Sequence, residues 1–150
     1  MTIYISPLET PTSSGERSLL VPLLDWLAAR RWIRDDTVVV EELAVNGRRI
    51  DVSTLTRSGT LSAFELKLGS FGRALEQAFY NSRLYDRSWI VVDAMPRPKN
   101  VEEASRCGVG VLVKSGSSFV IVCQPGSKAS DRVSRRRVTG KIREQVRRYV

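Results

Sequence analysis

The chain has no histidine and only two cysteines, Cys107 and Cys123, in its 150 residues. Protein zinc sites are built largely from these two residue types, usually with closely paired cysteines, so the composition argues against a zinc site. The two thiols read as reduced, buried, small apolar side chains. No apolar run approaches the roughly 18 residues that cross a bilayer. The first fifteen residues also lack the basic start and apolar middle of a secretory signal. These absences predict a cytoplasmic chain with no membrane partner, and no internal repeat points to a solenoid or array.

Hydrophobic residues make up 42% of the chain, enough to close one ordinary core. The net charge of +8 is unevenly spread. Residues 128–150 hold nine basic residues against Asp131 and Glu144, a net of +7, which leaves the first 127 residues near neutral. The expected organisation is therefore a domain over 1–127 and a basic tail over 128–150.

Residues 1–14 are rich in Pro, Thr and Ser and read as an irregular lead-in. From Glu16 to about Arg31, Leu19, Leu20, Leu23, Leu24 and Leu27 recur at helical spacing, with Ser13 or Ser14 as a cap. Pro22 either bends this helix or moves its start to near Ser18. Residues 37–45 are β-branched and apolar, and Asn46-Gly47 signals a tight hairpin into a second strand that ends near Thr56. A turn over 57–60 leads to a third strand, 61–68. A loop over 69–72 then feeds a helix over 73–85, with Leu75, Phe79 and Leu84 inward. Residues 88–92 form a short apolar strand suited to the centre of a covered sheet. A helix over 100–107 and strands over 109–113 and 118–123 complete the pattern.

Within the meander, Asp51 follows Arg48-Arg49-Ile50, and Glu65-Leu66-Lys67 lies on the next strand. Side chains alternate along a strand, so Glu65 and Lys67 share the face opposite Phe64 and Leu66. Pairing through the 57–60 turn puts Asp51 and Glu65 on neighbouring strands, where both carboxylates can reach one hard cation such as Mg2+. A lysine beside such a cation can ready a water, or balance charge building on phosphorus. The alternative reading of an isolated Glu-x-Lys is a solvated ion pair on a half-exposed strand.

The ordered set of a helical Glu16, Asp51 after a hairpin, Glu65-Leu66-Lys67 on the next strand and Gln77 on the following helix resembles the PD-(D/E)XK nuclease superfamily. The resemblance covers residues 16 to about 93. It implies an α/β fold with a restriction-endonuclease-like αβββαβ core, a central mixed sheet flanked by helices, here followed by the basic C-terminal tail. It also implies catalytic roles for Asp51, Glu65, Lys67, Glu16 and Gln77. Mg2+, with Mn2+ as substitute, would be held by Asp51, Glu65, the Leu66 carbonyl and Glu16. Ile50 stands where much of the family has proline. Gln77 is followed by Tyr80 rather than by a tyrosine four residues on, so the exonuclease branch is not matched.

Arg48, Arg49, Arg57 and Arg73 flank this constellation, as phosphate clamps or as solvated edge residues. Trp26, Trp32 and Trp89 read as core rather than as base-stacking platforms. In the tail, Arg135, Arg136, Arg137, Lys141 and Arg143 suit phosphate contact, while Val138, Ile142, Val146 and Tyr149 form an apolar face for docking on the core or on a second subunit. The resulting expectation is a metal-dependent DNA endonuclease, with a Holliday-junction-resolvase-like dimer one form and RNA a further substrate. The rival is a noncatalytic nucleic-acid-binding or protein-interaction module on the same fold.

Overall fold

The computed structural model describes residues 1–6, 15–69, 71–126 and 131–150. The Ser13 or Ser14 cap and Lys128 lie outside these residues. Seven strands form one mixed sheet in the order of the chain: β1 (Ile3–Ile5), β2 (Val38–Val45), β3 (Arg48–Leu55), β4 (Leu61–Lys67), β5 (Arg87–Val92), β6 (Gly110–Ser115) and β7 (Ser118–Cys123). Among the described residues four helices accompany these seven strands: α1 (Arg17–Ala29), α2 (Phe71–Asn81), α3 (Pro98–Arg106) and α4 (Arg132–Tyr149). The β2–β3–β4 meander is antiparallel, whereas β4, β5 and β6 run parallel with α2 and α3 as crossovers.

The lead-in expected to be irregular contains a strand. Ile3, Tyr4 and Ile5 pair in parallel with Val38, Val39 and Val40, and Ile5 is buried. Three residues are too short for a period-of-two signal, and only the exposed edge of β2 gives them hydrogen-bond partners. Other differences are at boundaries. The helix α1 runs through Pro22, which forgoes one backbone bond. The helix α2 begins at Phe71, inside the segment expected to be loop, and leaves Phe79 40% exposed rather than inward. Both cysteines are free and half-buried rather than buried.

The hairpin signal is met as a turn in which Asn46 (φ 52°) and Gly47 (φ 76°) are both left-handed, the backbone that matches strand twist in a two-residue connection. It fixes the register Val45 with Arg48, and so the whole β2–β3 ladder.

Each face of the sheet has its own apolar layer. On one face, α1 lays Leu19, Leu23 and Leu27 over Val52, Phe64, Leu66, Trp89 and Val91. All three tryptophans sit in or against this layer, with Trp32 5.3 Å from Trp26 and 5.4 Å from Trp89 between ring centres. On the other face, α2 and α3 cover Ile90, Val92, Val111 and Val113. There α4 covers the β1–β2 side, with Val138 and Ile142 fully buried against Val40, Leu43 and Ile50. The apolar stripe of the basic tail is therefore docked on the chain's own sheet, while Tyr149 at its end is 58% exposed. Arg135 anchors the same helix through Asp86 Oδ1 at 2.5 Å and the Gly59 carbonyl, and Asp86 Oδ2 accepts from the Leu61 N–H at 2.8 Å.

Gly110 pairs with Trp89 across β5 and β6, and a Cβ there would come within 2.5 Å of the indole. Only glycine lets the ring lie flat on the neighbouring strand. Gly110→Ala is expected to cost about 1–3 kcal/mol in urea unfolding, because the overpacked indole has no room to move. Ile142→Ala should cost about 2–5 kcal/mol if α4 is part of the core. A loss within error of zero for Ile142→Ala would mean that α4 is detachable.

Candidate active site

Asp51 is in the middle of β3, and Glu65 and Lys67 are at the end of β4. The antiparallel register pairs Val52 with Phe64, so the next position along sets Asp51 opposite Glu65 on the neighbouring strand. Val52 and Phe64 are buried under α1, and that burial fixes the register, since a slip of one residue would turn the acids into the apolar layer. Both carboxyls are largely withdrawn from water, Glu65 being only 3% exposed.

Burial and mutual repulsion favour a single proton held between the two acids. Burial and then the Asp51 charge push Glu65 up to about 9, and its carboxyl donates to Asp51. Asp51 is also raised, chiefly by burial, although the Leu66 N–H donates to its Oδ2 at 2.8 Å and opposes the rise. Two like charges this close and this dry cannot both be present without a compensating cation. Asn81 Nδ2, buried at the end of α2, donates to Glu65 Oε1 at 2.8 Å. Beneath the pair, Ser53 and Tyr85 share a buried hydrogen bond of 2.7 Å, and burial raises the Tyr85 phenol further beyond its ordinary range.

Lys67 is held by Glu16 at the start of α1, with Nζ 3.2 Å from Oε1. This one ion pair joins the helix glutamate and the strand lysine expected to act together. Asp51, Glu65, Lys67, Glu16 and the Leu66 main chain are thus brought into one neighbourhood. Gln77 is not: it is exposed and makes no hydrogen bond among the described residues, and Asn81, one turn later, takes the inward position. Arg48 lies over the Tyr80 ring at 4.0 Å, Arg49 is exposed near Glu42, and Arg73 is exposed in the first turn of α2. In α4, Arg135 is committed to Asp86 and Arg137 donates to Asn46 Oδ1 at 2.9 Å, while Arg136, Lys141 and Arg143 are exposed.

Glu42 was missed by the sequence reading. It lies between the Glu41–Val52 and Leu43–Ile50 pairs, opposite Asp51, with a left-handed φ of 54°. Burial, then the Asp51 charge, raises its carboxyl. The signal was present, because the two-residue Asn46-Gly47 turn that pairs residue 45 with 48 also sets 42 against 51. Asn81 had no comparable signal, being one polar residue among several on α2.

Hard oxygen donors in this number and setting suit Mg2+, which accepts a few carboxylates and keeps several waters. Among the described residues no three histidine, cysteine or acidic side chains gather as a ready ligand group. The acidic donors placed for a cation are therefore Asp51 and Glu65, with Glu16 taken up by Lys67. Replacing the shared proton by a divalent ion would relieve the repulsion that raises both groups.

The fold and site together define a mixed α/β domain with a buried carboxyl pair and an adjacent lysine. No protein-family model matches the chain, and no curated protein does. A solved structure of SPO1766, a protein of unknown function from Silicibacter pomeroyi, is similar at 23% identity and a TM-score of 0.64, over 87% of this chain and 84% of that one. This likeness shows a shared fold. SfsA of Pyrococcus furiosus, solved in complex with Ca2+, is more distant, at 14% identity and a TM-score of 0.42 over 75% of this chain and 65% of that one. Among the described residues no helix is long and apolar enough to cross a membrane.

A carboxyl raised in the folded state stabilises the fold while it is protonated. The contribution of Glu65 is complete below about 4.5 and is lost as the pH climbs towards about 9. In metal-free solution the Tm is expected to fall steadily across that window. Glu65→Gln, which keeps both hydrogen bonds and cannot ionise, should flatten the fall and melt above wild type at the alkaline end. Parallel Tm–pH curves for the two proteins would contradict the shared proton.

Proposed function

We propose that this chain is a metal-dependent nuclease of the PD-(D/E)XK type that hydrolyses phosphodiester bonds in DNA. The observation that supports this reading most directly is the Asp51–Glu65 carboxyl pair, set on adjacent strands with Lys67 two residues further along the same face. Its partners are exposed basic side chains near the site and on α4, and the branched DNA of repair and recombination is the substrate class we favour.

A bound Mg2+ or Mn2+ would polarise the scissile phosphate and acidify a water. Asp51 and Glu65 would hold that ion, with the Leu66 main chain beside them. Asn81 keeps the Glu65 carboxyl in a fixed rotamer, so its free oxygen faces Asp51. Lys67 supplies a positive charge next to the reacting phosphate, to orient the attacking water or offset the growing negative charge. Glu16 holds the ammonium in place until a phosphate competes for it. The near-neutral body of the chain leaves much of the affinity for DNA to α4.

Purified protein incubated with duplex, single-stranded and four-way-junction DNA and Mg2+ or Mn2+ should give nicked product. Asp51→Asn and Lys67→Ala should each lower the rate by about a hundredfold or more, as loss of one charged group at a phosphoryl centre commonly does. Equal cleavage by wild type and both variants would sink the proposal.

A second reading has its own support, since the Lys67–Glu16 pair and the absence of a three-acid group among the described residues also suit a noncatalytic nucleic-acid-binding module. Mg2+ separates the two. The nuclease reading expects a rise in Tm with Mg2+ that Asp51→Asn abolishes, whereas the module expects no shift and a strongly salt-dependent affinity for DNA.

A further inference from the structure

A cleft of about 1290 Å3 opens at the far end of the sheet from the carboxyl pair. Its floor includes Thr54, Ser62, Phe64 and Trp89, and the last two belong to the layer beneath α1, so the cleft is on the face opposite Glu65. Thr54 is three residues beyond Asp51 on β3, roughly 10 Å along the strand. The cleft and the acidic site are thus separate places that share strands β3 and β4.

The rim carries four arginines from three segments. Arg31 and Arg34 come from the loop after α1, Arg57 from the β3–β4 turn, and Arg87 from the first residue of β5. All four are exposed. Arg57 is 3.6 Å from Asp36, and Asp35 is 3.4 Å from the amino terminus, while Arg31 and Arg87 form no ion pair among the described residues. Two carboxylates therefore face four guanidiniums, and the balance is cationic. The loop is held in an unusual shape, with Arg31 (φ 62°) and Asp36 (φ 67°) both left-handed without being glycine. Thr60 and Ser62, both half-buried, line the interior beside the buried Thr54, while the Thr56 hydroxyl is engaged by Ser58 and by the Thr60 N–H. Trp32, half-buried, adds an aromatic ring.

We propose that this cleft binds a short segment of single-stranded nucleic acid. Its volume exceeds the roughly 300–1000 Å3 of ordinary small-molecule pockets, and its charge is spread along the rim rather than focused on one point. Guanidiniums from separate segments fit successive phosphates of a strand, which they grip in bidentate fashion. The threonine and serine hydroxyls supply neutral phosphate and sugar contacts, the commonest class in nucleic-acid interfaces. The half-buried Trp32 indole, packed against Trp26 and Trp89, offers a base its remaining exposed surface, and a base in a duplex must first be unpaired and unstacked to reach it. None of the cleft's residues belongs to the acidic site, so strand binding here does not depend on whether that site cleaves DNA.

The test is fluorescence anisotropy of a labelled oligothymidylate of about 12 nucleotides, within the span such grooves cover, in EDTA so that no cleavage intervenes. Arg57→Ala/Arg87→Ala, both at exposed positions, should melt like wild type yet bind about tenfold or more weakly. Its log-affinity against log-salt slope should be shallower by about 1.4, the share of two lost phosphate contacts. Asp51→Asn should bind like wild type even if it abolishes cleavage, so the two proposals fail separately. Unchanged affinity and slope in the double variant would overturn the inference. So would no binding by wild type, or duplex of the same length binding as well and with the same sensitivity.

Discussion

Two carboxyl groups, Asp51 and Glu65, lie side by side on adjacent strands where burial favours a proton between them, and much of the surrounding structure holds that pair in place. A buried like-charged pair is unfavourable unless a proton or a cation intervenes, so its geometry must be imposed by something stronger. The imposing force is the apolar layer behind it. Val52 and Phe64, on the opposite face, are locked beneath α1 and fix the register of β3 and β4. Asn81, the Leu66 N–H and the Ser53–Tyr85 hydrogen bond then satisfy the polar atoms, and no buried side-chain nitrogen or oxygen among the described residues is left without a partner. A fully satisfied network can be retained at modest cost where a half-satisfied one could not.

The helices divide the work by face. The helix α1 closes one face and brings Glu16 to Lys67, so packing of the first helix and placement of the lysine are one event. On the other face α2 delivers Asn81 and α4 buries Val138 and Ile142, leaving Arg136, Lys141 and Arg143 to solvent. A basic helix anchored in this way presents its charges from a fixed position rather than from a loose arm, which lowers the ordering cost of meeting a polyanion. The arginine-rimmed cleft lies at the opposite end of the same strands. The acidic centre and the two basic surfaces are thus held apart on one scaffold.

Much of this was legible in the chain. The Asn46-Gly47 turn, the three-strand meander and the placement of Asp51 and Glu65 on adjacent strands follow from local rules, because a two-residue hairpin and period-of-two alternation leave little freedom. Carried one step further, the same hairpin register would have exposed Glu42. The strand Ile3–Ile5 was not legible, since three residues carry no periodic signal and are strands only because the β2 edge is free. Nor was the choice of Asn81 over Gln77. Both lie on the same helix face, and only the docking angle of α2 decides which one reaches the sheet.

From Glu16 onward the order of elements, the uneven charge and the acid, acid and lysine in register were all set by neighbours close along the chain. Tertiary structure alone decided that the two acids are dry enough to share a proton, that Glu16 grips Lys67 and that Arg135 is an anchor while Arg136 is free to solvent. It also decided that four arginines scattered from residue 31 to residue 87 meet on one rim. The physical reason is that burial, and the desolvation and charge coupling that come with it, are set by residues distant in sequence that packing brings within a few ångströms.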